Sequence, residues 1–76
     1  MLETLDLHGV PHEQVSDLVH QFVNCNWRPN LELIIITGHS VVMKELVYQV
    51  LKQYDIEIMT SDYRNHGQIR CQTWVE

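Results

Sequence analysis

Twice in this chain an apolar, strand-like run stops at a polar turn that carries glycine and then gives way to a helical pattern. The first is Leu5-Asp6-Leu7-His8-Gly9, where alternation sends Asp6 and His8 to one face and Leu5 and Leu7 to the other. The second is Leu33-Ile34-Ile35-Ile36, which ends abruptly at Thr37-Gly38-His39-Ser40. This repeated layout narrows the fold sharply. Two strands joined through a helix pair in parallel, and parallel strands deliver both turns to the same sheet edge. That edge is expected to gather Asp6, His8, Gly9, Thr37, Gly38, His39 and Ser40.

The intervening sequence reads as two amphipathic helices. Pro11 suits a first helical position, where its missing N–H costs nothing, and Glu13 favours the same helix start by charge. Val15, Leu18, Val19, Phe22 and Val23 then recur at three- and four-residue spacing, as one buried face requires. Asn24, Asn26, Arg28, Pro29 and Asn30 mark the loop that follows. Ser40 is placed to cap the second helix, whose buried stripe is expected at Met43, Leu46, Val47, Val50, Leu51 and Tyr54. Lys44 and Glu45 fall off that stripe and are expected to face solvent or the site.

A third strand is expected from Ile56 to Thr60, with Ile56 and Ile58 on one face. A polar turn through Asp62, Arg64, Asn65, His66 and Gly67 comes next. The final run alternates Ile69, Cys71, Thr73 and Val75 against Arg70, Gln72, Trp74 and Glu76. The order strand, helix, strand, helix, strand, strand predicts an α/β chain of the α+β two-layer kind. Both helices lie on one face of a four-stranded mixed sheet.

With 76 residues there is room for a single domain over residues 1–76, and such a domain buries only about 60% of its unfolded surface. A hydrophobic fraction of 45% against 20% charged residues is that of a folded core. No apolar stretch has membrane-spanning length and no basic-then-apolar leader opens the chain, so a soluble, cytoplasmic location is the expectation. Cys25 and Cys71 form no CxxC pattern and are expected as buried thiols.

Two motifs carry a family resemblance. Leu5-Asp6-Leu7-His8-Gly9 before a helix, then an Ile-rich strand closed by Thr37-Gly38 before a second helix, resembles the Smr (small MutS-related) domain from Leu5 to Val75. The second motif keeps the family's Thr-Gly-x-Gly in part, with Ser40 in place of the second glycine. Met43-Lys44 stands where the family has Leu-Arg, one residue early. The resemblance implies the same two-layer fold, similar to the C-terminal domain of a translation initiation factor. It also implies nicking of DNA or cleavage or binding of RNA.

On that reading His8 transfers a proton, and Asp6 orients it or raises its basicity. The Thr37–Ser40 turn seats a phosphate through the backbone N–H groups of Gly38 to Val41, with Lys44 adding charge. Gly9 and Gly38 allow backbone conformations that a side chain would hinder. Arg64, His66 and Arg70 cluster at the last turn as further phosphate contacts, although exposed polar side chains of a hairpin are the simpler reading. Trp74 is placed to cover the open sheet face by packing or in a dimer contact, more readily than to stack on a base.

Five histidines also allow a divalent metal, with His8 and His39 as ligands and Asp6 as ligand or outer partner. Their spacing is not diagnostic, and hydrogen-bonded or exposed histidines are the simpler state. His8 and His12 do not form a helical pair, because Gly9 and Pro11 lie between them. A net charge of -5 argues against an extended grip on a nucleic-acid backbone. Only Arg28, Lys44, Lys52, Arg64 and Arg70 are basic, so a nucleic-acid partner is expected to bind weakly unless a second copy or another chain helps. A non-catalytic module for nucleic acid or protein is the alternative function. A bare scaffold or oligomer-forming domain is a third.

Overall fold

In the computed structural model, which describes residues 2–59 and 67–76, the Ile-rich run is a strand whose side chains alternate between two faces. Leu33 and Ile35 are fully buried, whereas Glu32, Ile34 and Ile36 are half-buried. The elements follow as β1 (Leu2–Asp6), α1 (His12–Cys25), β2 (Glu32–Ile36), α2 (Val41–Leu51), β3 (Glu57–Ile58) and β4 (Gln68–Gln72). The sheet order is β1-β2-β4-β3. β1 runs parallel to β2, and β4 is antiparallel to both β2 and β3. This is the expected α+β arrangement.

Register assigns each side chain to a face. Glu3, Leu33, Cys71 and Ile58 form one row toward the helices, and Leu5, Ile35 and Ile69 form the next. Buried residues of both helices complete the core: Val15, Val19 and Val23 from α1, and Met43, Val47, Val50 and Leu51 from α2. Leu18, Phe22, Leu46, Tyr54, Ile56 and Ile58 are partly buried against it. The opposite face carries Leu2, Glu32, Gln72 and Glu57, then Thr4, Ile34 and Arg70, then Asp6, Ile36 and Gln68.

Several local expectations are corrected. Pro11 is the N-cap of α1 and not its first helical residue, because its ψ of 140° is extended. Cys25 is exposed, whereas Cys71 is buried as expected. Two residues past Val23 means about 200° around the helix, which carries Cys25 to the solvent side. Lys44, expected off the stripe, is only 2% exposed. Lys44, Val47 and Leu51 stand at i, i+3 and i+7, so the lysine belongs to the inward stripe.

β3 is two residues long, and Thr60 lies outside the described residues. β4 ends at Gln72 and leaves Val75 exposed. Its partner strand runs out there. Thr73 N–H still donates to Leu31 O, but next the Asn30 loop takes over, with Asn30 N–H donating to Trp74 O.

Trp74 packs on Trp27 at a ring distance of 4.8 Å, Trp27 lies 5.5 Å from Tyr54, and Tyr54 lies 5.6 Å from His20. Tyr54 Oη sits 2.6 Å from His20 Nδ1 and accepts from Asn24 Nδ2 at 3.1 Å. This cluster joins the ends of α1 and α2 to the chain after β4. It closes the end of the sandwich where β2 begins, away from the glycine turns. Among the described residues no helix is long and apolar enough to cross a membrane.

The packing predicts three outcomes. Ile35→Ala removes a fully buried side chain from the central strand and is expected to cost about 2–5 kcal/mol, a large share of the ~5–15 kcal/mol typical of a domain, as read by urea unfolding. Burial, helped by the Glu32 carboxylate, pushes the Cys71 thiol from its ordinary 9.0 up to about 12. Thiol reagents should therefore modify Cys25 in the native protein and reach Cys71 only on unfolding. The unfolded chain releases that proton near 9 and the fold holds it to about 12, so stability should fall as pH rises above 9.

Candidate functional site

The first turn begins just past β1. Leu7 N–H still donates to Ile36 O at 2.8 Å, extending the parallel ladder by one bond. The chain then reverses, with Val10 N–H donating to Leu7 O at 2.9 Å. Gly9 occupies the third position of this turn with φ +80°, a left-handed value that glycine adopts without steric cost. The Asp6 carboxylate accepts from His8 N–H at 2.9 Å and so braces the turn from its own strand. The bond described goes to the His8 backbone and not to its ring. Asp6 and His8 are both exposed on the side away from Leu5 and Leu7, as alternation requires.

The second turn is held from across the sheet. Thr37 N–H and Gly38 N–H both donate to Gly67 O, at 2.8 and 2.9 Å, and Thr37 Oγ1 donates to Gly38 O at 2.9 Å. Gly38 has φ +67°. Ser40 then caps α2 as expected, its Oγ accepting from Met43 N–H at 3.1 Å. That hydroxyl keeps its own proton to donate.

The two turns meet. A Cβ built on Gly38 would lie 3.9 Å from His8 Cδ2, which places the imidazole edge beside the second turn. One exposed imidazole, a glycine turn and the start of an eleven-residue helix thus share the carboxyl edge of the parallel pair. Ligands of α/β units collect at such an edge. His39 is exposed on the second turn. Among the described residues no three of His, Cys, Asp and Glu gather as metal ligands, so Asp6, His8 and His39 do not form such a group.

Other expected contributors stand elsewhere. The Gly38 N–H is already engaged by Gly67 O, so it is not an open donor for phosphate. Lys44 is buried, 2% exposed, in the first turn of α2. Arg70 lies level with Ile34 on the uncovered face, where its Nε donates to Glu32 Oε2 at 2.8 Å. It is two residues inward from the edge. Arg64 and His66 lie outside the described residues.

Gly67 is the residue that sequence reasoning undervalued. A Cβ there would stand 3.3 Å from Gly38 Cα, tighter than ordinary side-chain contact. Its sequence signal was modest: a glycine just before a strand, readable as turn chemistry alone. Comparison of the chain with family models, with curated proteins and with solved structures found no match.

The Asp6 bond yields a discriminating pair of variants. Asp6→Ala removes the acceptor for His8 N–H and is expected to cost about 1 kcal/mol. Asp6→Asn retains an oxygen acceptor and should stay within ~0.5 kcal/mol of wild type. Thermal or urea unfolding of the two separates a bracing role from a need for charge.

Proposed function

We propose that this domain cleaves phosphodiester bonds of nucleic acid at the edge formed by the two glycine turns. The observation that carries the reading is the exposed His8 imidazole lying beside Gly38. His8 is the proton-transfer residue, and Asp6 fixes it by holding the turn through the His8 backbone. Thr37, Gly38, His39 and Ser40 form the phosphate seat, with donors coming from the Ser40 hydroxyl and the first N–H groups of α2. The resemblance of the two motifs to Smr domains supports the same activity.

Two chemical routes fit this arrangement. On RNA a 2′-hydroxyl gives its proton to one of His8 and His39 and attacks the neighbouring phosphorus, forming a 2′,3′-cyclic phosphate as the bond to the 5′-oxygen breaks and that oxygen takes a proton from the other histidine. On DNA a water must be activated. A deoxynucleotide placed at the scissile position abolishes the first route and leaves the second intact.

A second reading is a non-catalytic module for nucleic acid or protein. It is favoured by the engagement of Gly38 N–H and by the burial of Lys44, both of which reduce what the seat offers a phosphate. With a net charge of -5, nucleic-acid affinity is expected to be weak and raised by low salt.

The test is cleavage of labelled single-stranded RNA, supercoiled DNA and branched DNA, with and without divalent metal. His8→Ala is expected to slow cleavage by about 10²–10⁴-fold while leaving the fold intact. Equal residual cleavage in wild type and His8→Ala would refute the nuclease reading. Binding that survives alongside that result would support the module.

A further inference from the structure

We infer that Gly67 is a positioning residue for the His8–Gly38 edge. The catalytic consequence of this assignment rests on the nuclease reading, but its geometric basis does not. The Gly67 carbonyl accepts from two successive N–H groups of the second turn, Thr37 at 2.8 Å and Gly38 at 2.9 Å. A carbonyl oxygen has two lone pairs, so both bonds are accommodated and the turn is fixed at two adjacent points. The Gly67 Cα lies close against Gly38, with room for hydrogen but not for an unaccommodated methyl group. The His8 ring edge lies near the same turn, 3.9 Å from where a Gly38 Cβ would stand. Gly67 thus holds the turn that stands beside His8.

The first turn cannot set this spacing alone. Gly9 has no atom within 4 Å of where its Cβ would stand, and the Asp6 bond constrains His8 through its backbone. The parallel pairing of β1 with β2 brings the two turns side by side, and the entry to β4 fixes the second turn within that frame. An alanine at Gly67 must push against Gly38 backbone, which has no flexible side chain to yield. Relieving that contact shifts the second turn by a few tenths of an ångström and so alters its spacing to His8. Such a change acts on the chemical step more than on binding, and costs less than the ~100-fold that misplacement by about 1 Å can cost.

The experiment combines spectroscopy and kinetics on the full chain. In wild type, through-hydrogen-bond couplings from both the Thr37 and Gly38 nitrogens to the Gly67 carbonyl carbon are expected, with slow exchange of both amides. Absence of both couplings together with fast exchange would overturn the assignment, whether or not any variant folds. In folded Gly67→Ala, the His8 ring and Gly38 amide resonances are expected to shift while those of Val15 and Val23 stay in place. An unmoved His8 ring would refute positioning.

In cleavage, Gly67→Ala is expected to lower kcat by roughly 3- to 10-fold with KM within about twofold of wild type. Val50→Ala, which destabilises the core away from the edge, should leave kcat per folded molecule unchanged. A Gly67→Ala enzyme with wild-type kcat, or one that tracks Val50→Ala, would overturn the proposal. If wild type does not cleave, the nuclease reading fails and the resonance shifts alone decide the role of Gly67.

Discussion

The parallel pairing of β1 with β2, from Leu2 opposite Glu32 to Asp6 opposite Ile36, is the constraint on which the rest depends. It sets Leu5 beside Ile35, and so defines which face the helices cover. It also makes both strands end at the same level, so the turns that follow must emerge side by side. A slip of one residue would expose Leu33 and Ile35 and bury Ile34 and Ile36 with Glu32. The burial of Leu33, Ile35, Ile69 and Cys71 against both helices therefore stabilises the geometry of the edge as well as the core.

Charge distribution shapes how such an edge can be used. The uncovered sheet face carries Asp6, Glu32 and Glu57 against Arg70, and Arg70 is paired with Glu32. Among the described residues this face therefore carries an excess of carboxylates, a charge that disfavours a phosphate backbone. The polar groups at the edge are largely occupied in holding it: Asp6 on the His8 backbone, Gly67 O on Thr37 and Gly38, Ser40 Oγ on Met43. Rigidity is gained at the expense of open donors. Proton transfer by a well-placed imidazole is chemistry that such an edge suits better than tight anion binding.

Much of the fold was legible because its signals are periodic and local. Val15, Val19 and Val23 repeat every four residues, and Ser40 precedes an apolar stripe at the spacing a cap requires. At two positions the helix spacing decides against the expectation. Lys44, expected off the stripe and facing solvent or the site, lies among the buried residues, as its i+3 and i+7 neighbours Val47 and Leu51 do. Cys25, expected as a buried thiol, is exposed because its helical angle is that of a solvent position. The length of β4 could not be read from alternation through Val75. Strand pairing stops where the partner stops, and the partner here gives way to the Asn30 loop.

By itself the sequence determined the order of elements, the inward faces of the central strands and, Lys44 apart, of the helices, and the two glycine turns that bear Asp6, His8 and Thr37 to Ser40. These follow from side-chain periodicity and backbone sterics, which act over a few residues. Tertiary structure alone decided that Arg70 pairs with Glu32 on the uncovered face and that Trp74 packs on Trp27. It alone brought Gly67 to hold the turn at Gly38 beside His8. Those contacts join residues far apart in the chain, and their partners are fixed only once the register between β2 and β4 is formed.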